Sequence, residues 1–263
     1  MERKARLTLL VAALAIGLGF LAWQQYARMQ DRIRRAMTDA PCPVEVFSQR
    51  CTYVADNARL AESRAKPRAV LIGDSLTEYW KEYDRDLFGD EVVNRGISSQ
   101  TAPQILLRFR QDVVALKPRV VHILAGTNDI AGNTGPSSPD FVMDDLTSMA
   151  DLADTNGIKV VLGTIPPKDD SHLPGGISSE PWISIINRRI GKLADERGYV
   201  VADYHAALAG PDGGWHEPVF ADFVHPNARG YGIMGKVLRE ALREAEGDTT
   251  GTAEYVSGAI SRR

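Results

Sequence analysis

Apolar positions along the chain follow two distinct patterns. Short apolar runs stand at 69–72, 91–94, 119–125, 159–165 and 199–203, and each ends at a glycine, a proline or an aspartate. Runs of this length, rich in β-branched residues and closed by such punctuation, predict strands. They are apolar throughout, which predicts a sheet covered on both faces. Between them the spacing lengthens. Ile105, Leu106, Phe109, Val113 and Leu116 recur near a 3.6-residue period and predict a helix over 101–116. Helices are predicted in the same way over 140–156, 182–197 and 231–246, with Gly157 and Gly198 placed to stop the first two. Strands alternating with helices mean βαβ units and a parallel sheet. The expected fold is a three-layer α/β/α sandwich around a central, mostly parallel, five-stranded sheet.

The rest of the chain is patterned differently. Residues 7–23 form an apolar run preceded by Arg3, Lys4 and Arg6 and followed by Arg28, Arg32, Arg34 and Arg35. At about 1.5 Å per residue it would make a helix slightly shorter than a hydrocarbon core of about 30 Å. Two readings compete, a cleaved signal peptide and a retained signal anchor. Phe20 and the polar residues after Ala22 leave no good small-x-small cleavage site, which favours the anchor. The short basic tail places the rest of the chain outside the cytoplasm, either secreted or anchored at an inner membrane, although the charge bias across the run is weak. The two cysteines, Cys42 and Cys51, are close enough in sequence to pair in an oxidising compartment. The organisation expected is therefore a basic anchor segment over 1–35, a polar and partly helical stalk over 36–66, a folded domain over 67–246, and a disordered tail over 247–263.

Composition narrows the function. Charged residues make up 25% of the 263, the net charge is -3, and no basic stripe for nucleic acid is visible. There is no internal repeat and no zinc-type cysteine cluster. In a parallel α/β sheet the ligand site lies beyond the carboxyl ends of the strands. Those ends carry Gly73-Asp74-Ser75-Leu76, then Asn94-Arg95-Gly96, then Gly126-Thr127-Asn128-Asp129, and the last helix is preceded by Asp222-Phe223-Val224-His225-Pro226.

This set suits acyl transfer. A serine hydroxyl needs a base within reach, and His225 can serve Ser75 while Asp222 orients the imidazole. The oxyanion needs preorganised donors, for which the Ser75 N–H, the Gly96 N–H and the Asn128 amide are the candidates. Each residue also has a plainer role. Ser75 alone would read as a helix cap, Asp74 and Asp129 as loop scaffolding, and His122 as a core histidine. His172 and His216 sit in loops, and Asp203 with His205 could imitate an Asp–His pair. Trp80 and Phe223 are expected to line the substrate pocket, with Tyr79, Trp182 and Trp215 as further aromatics that could serve there or in the core. The polar loop over 168–181 is placed to cover it.

The four blocks together resemble the GDSL/SGNH hydrolases. Gly73–Leu76, Gly96, Gly126–Asp129 and Asp222–His225 match that family's blocks in order, and the resemblance covers roughly 67–245. It implies an SGNH, flavodoxin-like fold. It also implies Ser75 as nucleophile, Gly96 and Asn128 as oxyanion donors, Asp222 and His225 as the acid–base pair, and no metal or organic cofactor. The stretch 94–118 resembles the branch containing platelet-activating-factor acetylhydrolase subunits and bacterial carbohydrate esterases. That branch implies short acyl groups, often acetyl, on a carbohydrate or small ester. A lysophospholipase or thioesterase, an O-acyltransferase acting on envelope polysaccharide, and a non-catalytic binding module are the alternatives.

Overall fold

A computed structural model describes residues 17–32, 47–63, 66–171 and 178–247. The chain divides into two compact units, Met1–Val44 and Glu45–Arg263. In the first, residues 17–32 are helical. Residues 7–16 of the apolar run lie outside the described residues, as do 248–263. Among the described residues, no helix is long and apolar enough to cross a membrane.

The second unit holds five strands: β1 Ala69–Gly73, β2 Val92–Gly96, β3 Val120–Leu124, β4 Lys159–Gly163 and β5 Val200–Ala202. They form one parallel sheet in the order β2-β1-β3-β4-β5. Each strand sits where an apolar run predicted it. Alternate side chains go to opposite faces. Val70, Ile72, Val121, Ile123, Val160 and Leu162 enter one apolar cluster, while Ala69, Leu71, Val120, Leu124 and Val161 enter the other.

Helices close both faces. In chain order they begin with α1 Val54–Ser63, α2 Ser75–Glu78 and α3 Trp80–Tyr83, followed by α4 Ala102–Asp112. The series continues with α5 Thr127–Ile130, α6 Pro139–Thr155 and α7 Glu180–Arg197, and ends with α8 Tyr204–Leu208 and α9 Ala228–Glu246. α6 buries Val142, Leu146, Met149, Ala150 and Ala153, and α7 buries Ile183, Ile186, Ile190, Leu193 and Ala194. All of these except Ala194 lie in the cluster that Val70 joins. α9 covers the other face with Tyr231, Met234, Leu238, Ala241 and Leu242, spaced by three, four, three and one. The predicted helix over 101–116 ends earlier, at Asp112, and the chain continues as a 3-10 turn over Val114–Leu116.

The expected stalk over 36–66 is corrected by the structure for its second half. Leu60 of α1 is 2% exposed inside the core. Arg95 is almost fully buried, pairs with Asp56 at 2.7 Å, donates to Asn57 Oδ1, and lies over the Tyr53 ring. The Tyr53 hydroxyl donates to the Gly96 carbonyl. This segment completes the sheet edge at β2 by polar contacts, which a search for apolar periodicity passes over. Cys51 is disulfide-bonded, and Cys42, the chain's one other cysteine, lies outside the described residues.

Candidate active site

Neighbouring strands β1 and β3 are the point where the strand order reverses, so the loops after them open a crevice. Ser75 follows β1 and Asn128 follows β3. Asp74 caps the turn into α2, its Oδ1 accepting from the Leu76 N–H at 2.9 Å. That cap sets Ser75 as the first helical residue, at the positive end of the short helix.

Asp222 and His225 come from the turn before α9. Asp222 Oδ1 accepts from the main-chain N–H of Val224 at 2.8 Å and of His225 at 2.7 Å. Its other oxygen meets His225 Nδ1 at 2.8 Å, and His225 Nε2 meets Ser75 Oγ at 2.8 Å. An ionised carboxylate only accepts, so Nδ1 carries the proton and Nε2 is left to take the one from Ser75. Burial alone would raise the Asp222 carboxyl. The His225 and Val224 N–H groups and the imidazole outweigh it and hold the group below its ordinary value. Tyr79 lies against the imidazole at 5.2 Å between ring centres. The Trp215 indole N–H donates to the Asp222 carbonyl at 3.1 Å.

A cavity of about 220 Å³ opens over Ser75 and His225. Its walls include Ser98, Ser99, Asn128, Asn133, Lys168 and Phe223. Phe223 stands where it was expected. Trp80 does not. It is fully buried, edge-on to Tyr204 at 5.8 Å and to His122 at 6.5 Å, in the core beneath the site. The helix period that carries Tyr79 toward the cavity turns its neighbour Trp80 into the sheet. His122 is the core histidine its position suggested, and burial pushes it down to about 3. Tyr204 meets its Nε2 at 2.9 Å.

Gly96 also differs from expectation. Its N–H donates to Asn94 Oδ1 at 2.8 Å, and it is not part of the cavity wall. A Cβ there would fall 2.1 Å from the Glu78 main-chain nitrogen, so the glycine lets β2 approach α2. The loop beyond it reaches the cavity instead. Glu78 accepts from both the N–H and the hydroxyl of Ser98. Ser99 adopts a left-handed backbone, φ 65°, which non-glycine residues take only under constraint. Its main-chain N–H and that of Ser75 make no hydrogen bond among the described residues. Sequence reasoning missed Ser99 because a serine advertises no left-handed turn. The one available signal was the run of small polar residues between the strand end and the Thr101 cap.

Asn128 lines the cavity as expected. Its amide donates to Asp74 Oδ2 at 3.2 Å and to the Gln100 carbonyl at 3.0 Å, and its oxygen accepts from Asn133 at 2.9 Å. Asp74 is fully buried, and burial pushes its carboxyl up to about 7 against the pull of the Leu76 N–H. Asp129 takes no part in the cavity wall. It accepts from the Ala102 N–H at 2.9 Å and joins the loop after β3 to the start of α4. Arg108, also buried, reaches the Gly73 carbonyl at 2.9 Å, Gln100 at 2.6 Å and Asp112 at 3.1 Å, and so ties the end of β1 to the loop after β2 and to α4.

The sequence pattern of GDSL-like lipases and acylhydrolases matches residues 71–233. A GDSL-like lipase from Bacteroides thetaiotaomicron superposes with a TM-score of 0.69 at 34% identity, covering 76% of this chain and 99% of that one. An acetylxylan esterase from Geobacillus stearothermophilus shares the fold, with a TM-score of 0.56 at 20% identity over 68% of this chain and 94% of its own. A multidomain esterase from Ruminococcus flavefaciens is 31% identical over 129 residues, 48% of this chain and only 16% of that longer protein.

Proposed function

This chain belongs to the GDSL-like lipase/acylhydrolase family and is a carboxylic ester hydrolase; we propose that it removes short acyl groups, acetyl first, from a carbohydrate. The observation that carries the reading is the continuous relay from Asp222 through His225 to Ser75, opening into a cavity of about 220 Å³. That volume is below the usual range for drug-sized ligand pockets, about 300–1,000 Å³. It suits an acetyl or other short acyl group better than a lipid chain. The acetylxylan esterase among the similar proteins favours a carbohydrate as the alcohol half.

In this reading the Ser75 hydroxyl attacks the ester carbonyl as His225 Nε2 takes its proton. Asp222 stabilises the imidazolium that forms. The carbonyl oxygen becomes an anion between the Ser75 N–H, the Ser99 N–H and the Asn128 amide, with Ser99 in the place first assigned to Gly96. Asn128 must release its longer bond, to Asp74, to donate there. His225 then protonates the departing alcohol. Water, activated by the same imidazole, hydrolyses the acyl-enzyme and restores Ser75.

An envelope location, with the domain outside the cytoplasm and held through residues 7–23, rests on the sequence alone. Cell fractionation checks it. The function is tested by hydrolysis of p-nitrophenyl esters from C2 to C12, with Ser75→Ala beside the parent protein. Activity should be highest at C2 and fall by on the order of 10³-fold or more in the variant. Rates that rise with chain length would transfer the protein to the lipid reading.

A further inference from the structure

Lys168 lies just beyond β4, in a segment pinned to the catalytic turn. The N–H of Asp169 donates to the Phe223 carbonyl at 2.8 Å, and Phe223 lies between Asp222 and His225. Lys168 lines the same cavity as Ser75 and His225. Its side chain is only 10% exposed. The ammonium stands 3.4 Å from Asp170 Oδ1, beyond the roughly 2.7–2.9 Å of a charge-assisted hydrogen bond. It has no hydrogen-bond acceptor among the described residues.

Asp170 is already engaged, since it accepts from both the N–H and the hydroxyl of Ser179. It anchors the lysine from one side and leaves the ammonium donors unfilled. A largely buried cation whose one carboxylate neighbour stands at 3.4 Å favours any ligand that supplies further acceptors. Among the described residues the cavity wall holds no carboxylate of its own. An anion entering beside Lys168 would be nearer to the ammonium than to Asp170, and the nearer charge dominates. A short acyl group carries no charge, so the anion must belong to the alcohol half.

Resting on the esterase reading above, we propose that Lys168 recognises a carboxylate on the alcohol half of the substrate, and that the preferred substrates are acylated acidic sugars. Lys168 is a specificity-determining residue, and the chemistry at Ser75 does not pass through it.

The test compares full-length protein and Lys168→Gln on monoacetylated methyl glucuronoside and monoacetylated methyl glucoside, with p-nitrophenyl acetate as the uncharged control. The parent should favour the acidic substrate at least tenfold in kcat/KM, mainly through KM, and salt should erode that preference. In Lys168→Gln the preference should collapse while the p-nitrophenyl acetate rate stays within about twofold. Equal rates on the two sugars in the parent, or a parallel loss on both in the variant, would overturn the proposal. If the variant fails to fold, inhibition of the parent by unacetylated methyl glucuronoside and methyl glucoside decides. Tighter inhibition by the acid, weakened by salt, supports the assignment, and equal inhibition sinks it. Should the parent hydrolyse no ester at all, the esterase reading falls separately. Binding of the two glycosides, followed by NMR titration, then still decides whether Lys168 selects the acid.

Discussion

Asp222 and His225 are three residues apart and held by one turn, whereas Ser99 and Asn128 face the cavity from different loops and are held by contacts across the fold. The turn is closed by two main-chain N–H groups on a single carboxylate oxygen. On the other side, Asn94 occupies the Gly96 N–H, Tyr53 the Gly96 carbonyl, and Gln100 donates to the carbonyl of Ser48. Arg108 holds Gln100 in turn. The proton-relay half is a local structure docked against Ser75. The half proposed to bind the oxyanion draws on the segment before α1, on β2 and on α4. Damage to the first should therefore be chemical and confined, and damage to the second should spread into packing.

The largest effect expected is from Asp222→Asn, which leaves the turn but favours the wrong imidazole tautomer. kcat should fall by on the order of 10³–10⁴-fold with the melting temperature little changed. A large loss of stability in calorimetry would break the claim that this half is only a local turn. Next comes Asn128→Ala, expected to lower kcat by on the order of 10²-fold or more with KM nearly constant. Because Asn128 also bridges Asp74 and Gln100, this variant should melt measurably lower than Asp222→Asn. Equal melting temperatures would show that the contrast between the halves is overdrawn.

The smallest and most informative effect concerns Asp74, which precedes Ser75 in the chain and accepts from Asn128. Its folded-state carboxyl is raised from 3.8 to about 7 by burial. A raised carboxyl favours the folded state when protonated. That contribution is complete below the ordinary value and is lost as pH rises through about 7. The stability of the parent relative to Asp74→Asn should therefore decline between roughly pH 4 and pH 8. Denaturant melts across that range check the sign, and a gap that is constant or grows with pH would remove burial as the governing influence on Asp74.

Much of this architecture was legible in the chain. Five apolar runs placed five strands, the residues after two of them named Ser75 and Asn128, and the turn before the last helix named Asp222 and His225. Period and spacing are local properties, and a parallel sheet collects its strand ends on one edge whatever the details. Trp80, Gly96 and the segment from Tyr53 to Ser63 were misread for a common reason. Whether an aromatic faces cavity or core depends on a helix's rotation against the sheet. Whether an N–H is free depends on which side chain the fold turns toward it, as Asn94, held by the Thr77 carbonyl, is turned toward Gly96.

The sequence by itself determined the fold class and named the three side chains that meet as Asp222, His225 and Ser75, because both follow from local pattern and the order of blocks. Only the tertiary structure decided that Ser99 replaces Gly96 at the cavity, that α1 belongs to the domain, and that Lys168 lines the same cavity as Ser75. Each of those depends on partners brought together from far apart in the chain, and no local pattern encodes which hydrogen-bonding group will be left unfilled.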